Sequence, residues 1–115
     1  MMTNDKHLDY DALNALKDVM EDDFLLLIET FLADSKGRVL TLQSLKNSTD
    51  SDAIRRAAHS FKGSCSNLGV LHLASLCGSV EHKALGANVE NFAEDLRCIE
   101  EEFVLVQKML ADYLQ

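Results

Sequence analysis

The sequence predicts an all-α protein: an antiparallel four-helix bundle with an additional short helix at the N-terminus. The chain has no proline and only five glycines, too few turn residues for the closely spaced short strands of a β-sandwich. Hydrophobic residues make up 47% of the chain and recur at helical spacing. A length of 115 residues suits a single domain, residues 1–115, with a single core.

Five helices are predicted, separated by short polar or glycine-bearing breaks: roughly residues 9–19, 22–46, 51–68, 71–85 and 89–113. The first carries a weak apolar stripe of Leu13, Leu16 and Met20. The second opens at Asp22 or Asp23, either of which suits an N-cap. It ends before the tract NSTDSD, whose side chains compete for backbone hydrogen bonds.

The third and fourth helices have clear stop signals. The third begins at Asp50 or Ser51, and it ends at Leu68 because Gly69 suits the left-handed position that follows a helix. The fourth helix stops at Gly86.

The fifth helix carries an unbroken heptad seam, made by Phe92, Leu96, Ile99, Phe103, Val106, Leu110 and Tyr113. Such a seam could form a coiled-coil dimer, which would double the mass in solution. The chain supplies other long amphipathic helices joined by short loops, so burial of the seam within one bundle is the simpler interpretation. A monomer is therefore expected.

The composition excludes several classes of function. There are 19 acidic and 11 basic residues, and the net charge of −8 argues against a general nucleic-acid or anionic-membrane binder. The cysteines, Cys65, Cys77 and Cys98, are odd in number and form no CxxC pair, so neither a disulfide framework nor a zinc finger is indicated. With no signal peptide and no apolar run of membrane-spanning length, we expect a soluble protein of the reducing cytoplasm.

The third helix places His59 on its outer face. At about 100° per residue, His59 lies about 160° from Phe61, the centre of the buried stripe. Its neighbours on the helix surface are mostly cationic or small: Arg55, Arg56, Lys62, Gly63 and Ser66. An ordinary surface histidine is the simpler alternative here, whereas a core histidine is disfavoured.

These neighbours suit phosphoryl chemistry. A neutral His59 imidazole could attack a phosphoryl group, the surrounding cations would attract that anion, and Lys62 could reach its oxygens. Gly63 costs on the order of 1 kcal/mol inside a helix but leaves room for a partner. Gly37 and Gly78 also fall inside predicted helices, which weakens this last argument.

The chain lacks a glycine-rich phosphate loop and an evident carboxylate cluster for Mg²⁺. No autonomous kinase activity is therefore expected. If His59 is phosphorylated, the chain is a carrier and the catalytic apparatus lies on its partner.

The stretch HSFKGSCSNLG, residues 59–69, resembles the signature of histidine phosphotransfer (HPt) domains, H-x-[LF]-K-G-[SA]-[SA]-x-x-[LIV]-G. The resemblance implies that His59 accepts a phosphoryl group at Nε2 from a receiver-domain phospho-aspartate and passes it to another aspartate. It also implies that Lys62 steadies the phosphoryl group and that Gly63 keeps the approach open. Cys65 departs slightly from the pattern and is expected to be inert packing.

The resemblance further implies a polar residue on the next helix that accepts a hydrogen bond from Nδ1 of His59, and Glu81 occupies that place. A solvated Glu81 is an equally good interpretation of the sequence. Arg55, Arg56 and Ser66 are candidates for partner binding. The arginines could screen phosphate charge or pair with an acidic receiver surface, and the alternative is that they are solvated helix residues.

The partners that follow from the resemblance are a hybrid sensor histidine kinase and the receiver domains of response regulators. The chain is expected to need no cofactor of its own, with Mg²⁺ held by the receiver domain. Receivers in such systems dock mainly on a hydrophobic patch near the histidine. The starting methionine and the absence of flanking linkers favour a free-standing protein.

Two other interpretations of the chain are less favoured. His7, His72 and His82, with Glu81, lack the i, i+4 pair and third ligand of a helical metal site, so no metal is expected and surface histidines are favoured. The second alternative is a non-catalytic helical adaptor that binds a protein partner through its surface, with His59 incidental.

Overall fold

The computed structural model describes residues 6–115 and confirms the all-α prediction. The helices are α1 (Tyr10–Met20), α2 (Phe24–Ser44), α3 (Ser51–Leu68), α4 (Leu71–Leu85) and α5 (Phe92–Tyr113), with a 3₁₀ turn over Glu21–Asp23 between α1 and α2. Helices α2 to α5 form the bundle, and α1 packs against α2. Within the described range there is no strand, and no helix is long and apolar enough to cross a membrane.

The apolar faces of the helices meet in one core. The most extensive helix pair is α3 with α4, and α5 packs on both α4 and α2. Six of the seven seam residues of α5 are buried, and Tyr113 at its end is half-buried. The seam residues are therefore buried within the bundle and are not available to form a coiled-coil dimer.

Several predicted helix boundaries differ from those in the structure. The chain turns from α1 into α2 through the 3₁₀ turn. Asp23 takes the predicted N-cap position of α2, but its side chain makes no capping hydrogen bond, and Asp22 lies within the turn. The Phe24 N–H instead bonds to the carbonyl oxygen of Glu21. Helix α5 begins at Phe92, later than predicted, because the chain before it forms turns.

The ends of α3 follow the sequence signals. The Asp50 side chain accepts a hydrogen bond from Ala53 N at 3.0 Å. Gly69 has φ +79°, the left-handed conformation that glycine adopts without steric cost, and the Val70 N–H closes the helix on Cys65 O at 2.9 Å.

The segment before α1 crosses the turn between α3 and α4. Asp9 N donates to Gly69 O at 2.8 Å, Leu71 N donates to His7 O at 2.9 Å, and Leu8 between them is fully buried. These bonds fix the turn from which α3 and α4 run back along each other.

The favoured assignment of all three histidines to the surface holds fully only for His82, since His7 and His72 are half-buried. The His7 side chain is 20% exposed, and Nδ1 lies 2.6 Å from Oε2 of the buried Glu102. The burial arises because Leu8 anchors this segment against the bundle. The His72 ring is 5.7 Å from the His7 ring, and His82 is exposed. No group of three or more possible metal ligands occurs within residues 6–115.

Gly69→Ala should lower the free energy of unfolding by about 2 kcal/mol, because a left-handed residue with a Cβ costs about 1–2 kcal/mol. The added Cβ would also lie 3.1 Å from Asp9 Cβ and 3.3 Å from Ala12 Cβ. Urea unfolding measures the change. Gly37→Ala is the control: its Cβ meets nothing within 4 Å, so a gain of roughly 0.5–1 kcal/mol is expected. Equal stability of Gly69→Ala and wild type would contradict this account of the turn.

Candidate functional site

His59 projects from the middle of α3 into solvent. The same helix buries Ala58 and Phe61 completely, and this packing fixes the rotation of the helix about its axis. The His59 side chain is consequently 62% exposed and available to another molecule.

The carboxylate of Glu81 on α4 joins two side chains of α3. Its Oε2 lies 2.6 Å from His59 Nδ1, and its Oε1 lies 2.7 Å from Lys62 Nζ. An ionised carboxylate only accepts hydrogen bonds, so the short contact places a proton on Nδ1. In the neutral imidazole, the lone pair is then on Nε2.

Glu81 is held in its ionised form. The hydrogen bond from Lys62 is the largest influence that lowers the pKa of the Glu81 carboxyl below its ordinary value of 4.5, and the bond to His59 acts in the same direction. The Glu81 side chain is 19% exposed, so α3 and α4 shield the contact in part from solvent. Near neutral pH the group is therefore a fixed negative charge beside the imidazole.

Lys62 contacts Glu81 in this structure. Its stem crosses Gly78 of α4, where an added Cβ would lie 3.3 Å from Lys62 Cδ. Sequence reasoning treated Gly78 as a glycine that the helix merely tolerates. Its position three residues before Glu81, on the same side of α4, was the available signal.

Gly63 leaves open space beside His59. A Cβ built there would meet nothing within 4 Å, so no intramolecular contact requires a glycine. Ser66, one helical turn further along α3, is also exposed. This side of α3 therefore carries only small side chains that an approaching partner would have to pass.

The two arginines pair with a carboxylate of their own helix. Asp52 binds both: Arg55 Nη2 lies 2.8 Å from Oδ1, and Arg56 Nε lies 3.0 Å from Oδ2. The hydrogen bond from Arg55 is the largest influence lowering the pKa of Asp52. Both arginines remain predictions as partner-binding residues, because the structure shows only their pairing with Asp52.

An apolar groove begins at Ser64 of α3, five residues beyond His59. It encloses about 330 Å³ and includes Leu16 and Met20 of α1, Leu27 and Phe31 of α2, and Asn67 of α3. Asn67 is about two helical turns beyond His59. Sequence reasoning expected a hydrophobic patch but did not identify these residues, because the groove forms only where three helices meet.

Cys65 has no part in the exposed site. It is fully buried, and burial raises the pKa of its thiol well above the usual range. Burial also raises the pKa of Cys77 to about 12. Thiols in this state are unreactive, consistent with a packing role for Cys65.

The ionised Glu81 predicts a pH-dependent contribution to stability. Its lowered pKa in the folded state means that this stabilisation is fully present above the ordinary value of 4.5 and is lost as pH falls through the lowered value. Wild type should therefore unfold at higher urea concentration than Glu81→Gln at pH 6, and the gap should narrow towards pH 3. Glu29→Gln, an exposed change on α2, is the control. A difference in unfolding urea concentration between wild type and Glu81→Gln that stays constant from pH 6 to pH 3 would contradict the prediction.

Comparison with known proteins identifies the family to which the chain belongs. The model of the Hpt domain family matches residues 26–115, which include His59 and Glu81. The structure is similar to the crystal structure of histidine-containing phosphotransfer protein B (HptB) from Pseudomonas aeruginosa PAO1, with a TM-score of 0.91, 34% identity and 96% of each chain covered. A search of the curated proteins gives no match. The chain belongs to the Hpt family, the histidine phosphotransfer domains of phosphorelays.

Proposed function

We propose that this protein is a monomeric, cytoplasmic phosphorelay intermediate whose phosphoryl acceptor is His59. The donor is the phospho-aspartate of a receiver domain in a hybrid sensor kinase, and the acceptor is the receiver aspartate of a response regulator. The observation that carries this proposal is the exposed imidazole whose Nδ1 is held at 2.6 Å by a carboxylate.

In the transfer step, the lone pair of His59 Nε2 attacks the phosphorus of the aspartyl phosphate. The N–P bond forms as the P–O bond to the aspartate breaks, and the aspartate leaves as a carboxylate. The proton stays on Nδ1, where Glu81 stabilises the positive charge that develops on the ring. The return step runs through the same groups, with the imidazole as leaving group.

In this mechanism Lys62 has one ionic partner when His59 is free and another when His59 is phosphorylated. In the free protein it neutralises Glu81 at 2.7 Å. Once a phosphoryl group is on Nε2, the flexible lysine stem lets Nζ turn to the new oxygens, one helical turn from its own position. The Mg²⁺ of the receiver domain would neutralise phosphoryl charge from the opposite side.

The receiver docks over Gly63 and the neighbouring apolar groove. Gly63 adjoins His59 on the surface of α3 and has no side chain to obstruct a partner, with open space where a Cβ would be. The groove lined by Leu27 and Phe31 lies next to this approach and offers apolar area for the partner to bury. A receiver domain is the occupant that brings an aspartate to His59.

Phosphorylation of His59 is tested with a radiolabelled, phosphorylated receiver domain as donor. Wild type should acquire a label that acid removes and base does not, and His59→Gln should acquire none. His82→Gln, which changes an exposed histidine of α4, is the control and should be labelled like wild type. Label on His59→Gln would exclude His59 as the acceptor. If no receiver of the source organism labels wild type, the adaptor interpretation is favoured.

The proposed docking surface is tested with two substitutions that add side-chain atoms to it. Gly63→Ala adds one methyl group to the approach, and Thr30→Arg places a long side chain at the groove, which Thr30 lines from an exposed position. Each should weaken receiver binding at least threefold, measured by calorimetric titration, because either change obstructs contact.

Gly37→Ala provides the matched control for these variants, since both glycines lie in helices with open space at Cβ. Gly63→Ala and Gly37→Ala should both be more stable than wild type by roughly 0.5–1 kcal/mol, whereas only Gly63→Ala should bind the receiver more weakly. Unchanged affinity in both Gly63→Ala and Thr30→Arg would rule out this docking surface.

A further inference from the structure

The cations that surround His59 in the sequence are already paired with carboxylates of the chain. Lys62 contacts Glu81, and both Arg55 and Arg56 contact Asp52. Each would have to leave a partner before it could bind a phosphoryl group. Their availability to a new anion is therefore limited in the free protein.

Arg38 of α2 is differently placed. Its Nη1 donates a hydrogen bond to the hydroxyl oxygen of Ser60, the residue that follows His59 on α3. Ser60 is a neutral partner, and within residues 6–115 Arg38 forms no ion pair. A guanidinium charge is thus held by the hydroxyl group of Ser60, the residue next to His59 in the sequence.

The polar groups around Arg38 are poorly satisfied. Its Nε is buried and, among the described residues, has no hydrogen-bond partner, and the same holds for the hydroxyl oxygen of Ser35 one turn earlier on α2. A buried donor without an acceptor costs on the order of 1–3 kcal/mol. An apolar residue would avoid this cost, so stability alone gives no reason for an arginine here.

The orientation of the imidazole favours a cation on the α2 side. Nδ1 points to Glu81 on α4, and the two ring nitrogens face nearly opposite sides of the ring. Nε2 therefore faces away from α4. Ser60 lies about 100° around α3 from His59, on the side where Arg38 reaches across from α2.

We propose that Arg38 is a phosphoryl-binding residue, which binds the anionic oxygens of the phosphoryl group carried on His59 Nε2. This inference rests on the function proposed above. The guanidinium offers several donors in a plane that matches two phosphoryl oxygens, which makes it a stronger ligand than the Ser60 hydroxyl. Arg38 forms no covalent bond and moves no proton, so the N–P and P–O bonds change as already described.

The test measures transfer from a phosphorylated receiver at saturating receiver concentration. Arg38→Gln, which keeps much of the side chain but removes the charge, should slow transfer about tenfold. It should change the dissociation constant for the unphosphorylated receiver less than twofold, because the phosphoryl group is absent from that complex. Lys36→Gln is the matched control: it removes one charge from an exposed position on another face of α2 and should transfer at the wild-type rate.

A second readout separates phosphoryl binding from a brace between α2 and α3. The ³¹P chemical shift of phosphorylated His59 should change in Arg38→Gln and stay unchanged in Lys36→Gln. Arg38→Lys, which restores the charge without the planar donors, should recover part of the rate. If Arg38→Gln loses helical content, the transfer rate of Arg38→Lys is compared with that of wild type instead.

Arg38→Gln with a transfer rate within twofold of wild type, or with an unchanged ³¹P shift, would overturn the inference. So would loss of receiver affinity without loss of rate at saturation. Failure of wild type to acquire label on His59 refutes the proposed function itself, whereas normal labelling of both wild type and Arg38→Gln refutes only the role of Arg38.

Discussion

The carboxylate of Glu81 connects the chemistry of this protein to its fold. One oxygen holds His59 Nδ1 at 2.6 Å and the other holds Lys62 Nζ at 2.7 Å. The contact exists only because α3 and α4 pack along each other in one register. That register is set at the turn after α3, where the left-handed Gly69 accepts a hydrogen bond from Asp9. The His59 imidazole is therefore oriented by a backbone conformation ten residues away from it.

The charges at the site are balanced within the chain, as the proposed transfer requires. In the free protein, Glu81 faces one full cation and one imidazole proton, and Lys62 holds its pKa low. In the proposed mechanism, a phosphoryl group on Nε2 would add negative charge and attract Lys62 away from Glu81. The carboxylate would then stabilise charge on the ring. This exchange uses groups already in contact, so it requires only side-chain rotation.

The part of the site that lies within one helix could be predicted from the sequence, and the part that spans helices could not. Helical periodicity placed His59 outside and Phe61 inside, since both depend only on the rotation per residue. Whether Glu81 meets His59 depends on the register of α3 against α4, which periodicity does not determine, and the sequence left both interpretations open. Arg38 was missed for the same reason, because its partner Ser60 lies 22 residues away on another helix. Asp23 occupies the N-cap position of α2 without a side-chain hydrogen bond, because the 3₁₀ turn leads directly into the helix.

Helix α3 tolerates a glycine in its middle because its stability comes from elsewhere. Gly63 costs on the order of 1 kcal/mol and has no contact that would be lost on adding a methyl group. The helix is fixed by the Asp50 cap, by the turn at Gly69 and by buried side chains such as Phe61, each of which acts on the ends or the inner face. Tertiary packing outweighs local propensity in a helix of this kind. The outer face is therefore free to carry a combination that a stable isolated helix would avoid: an exposed imidazole, cations around it and an adjacent gap.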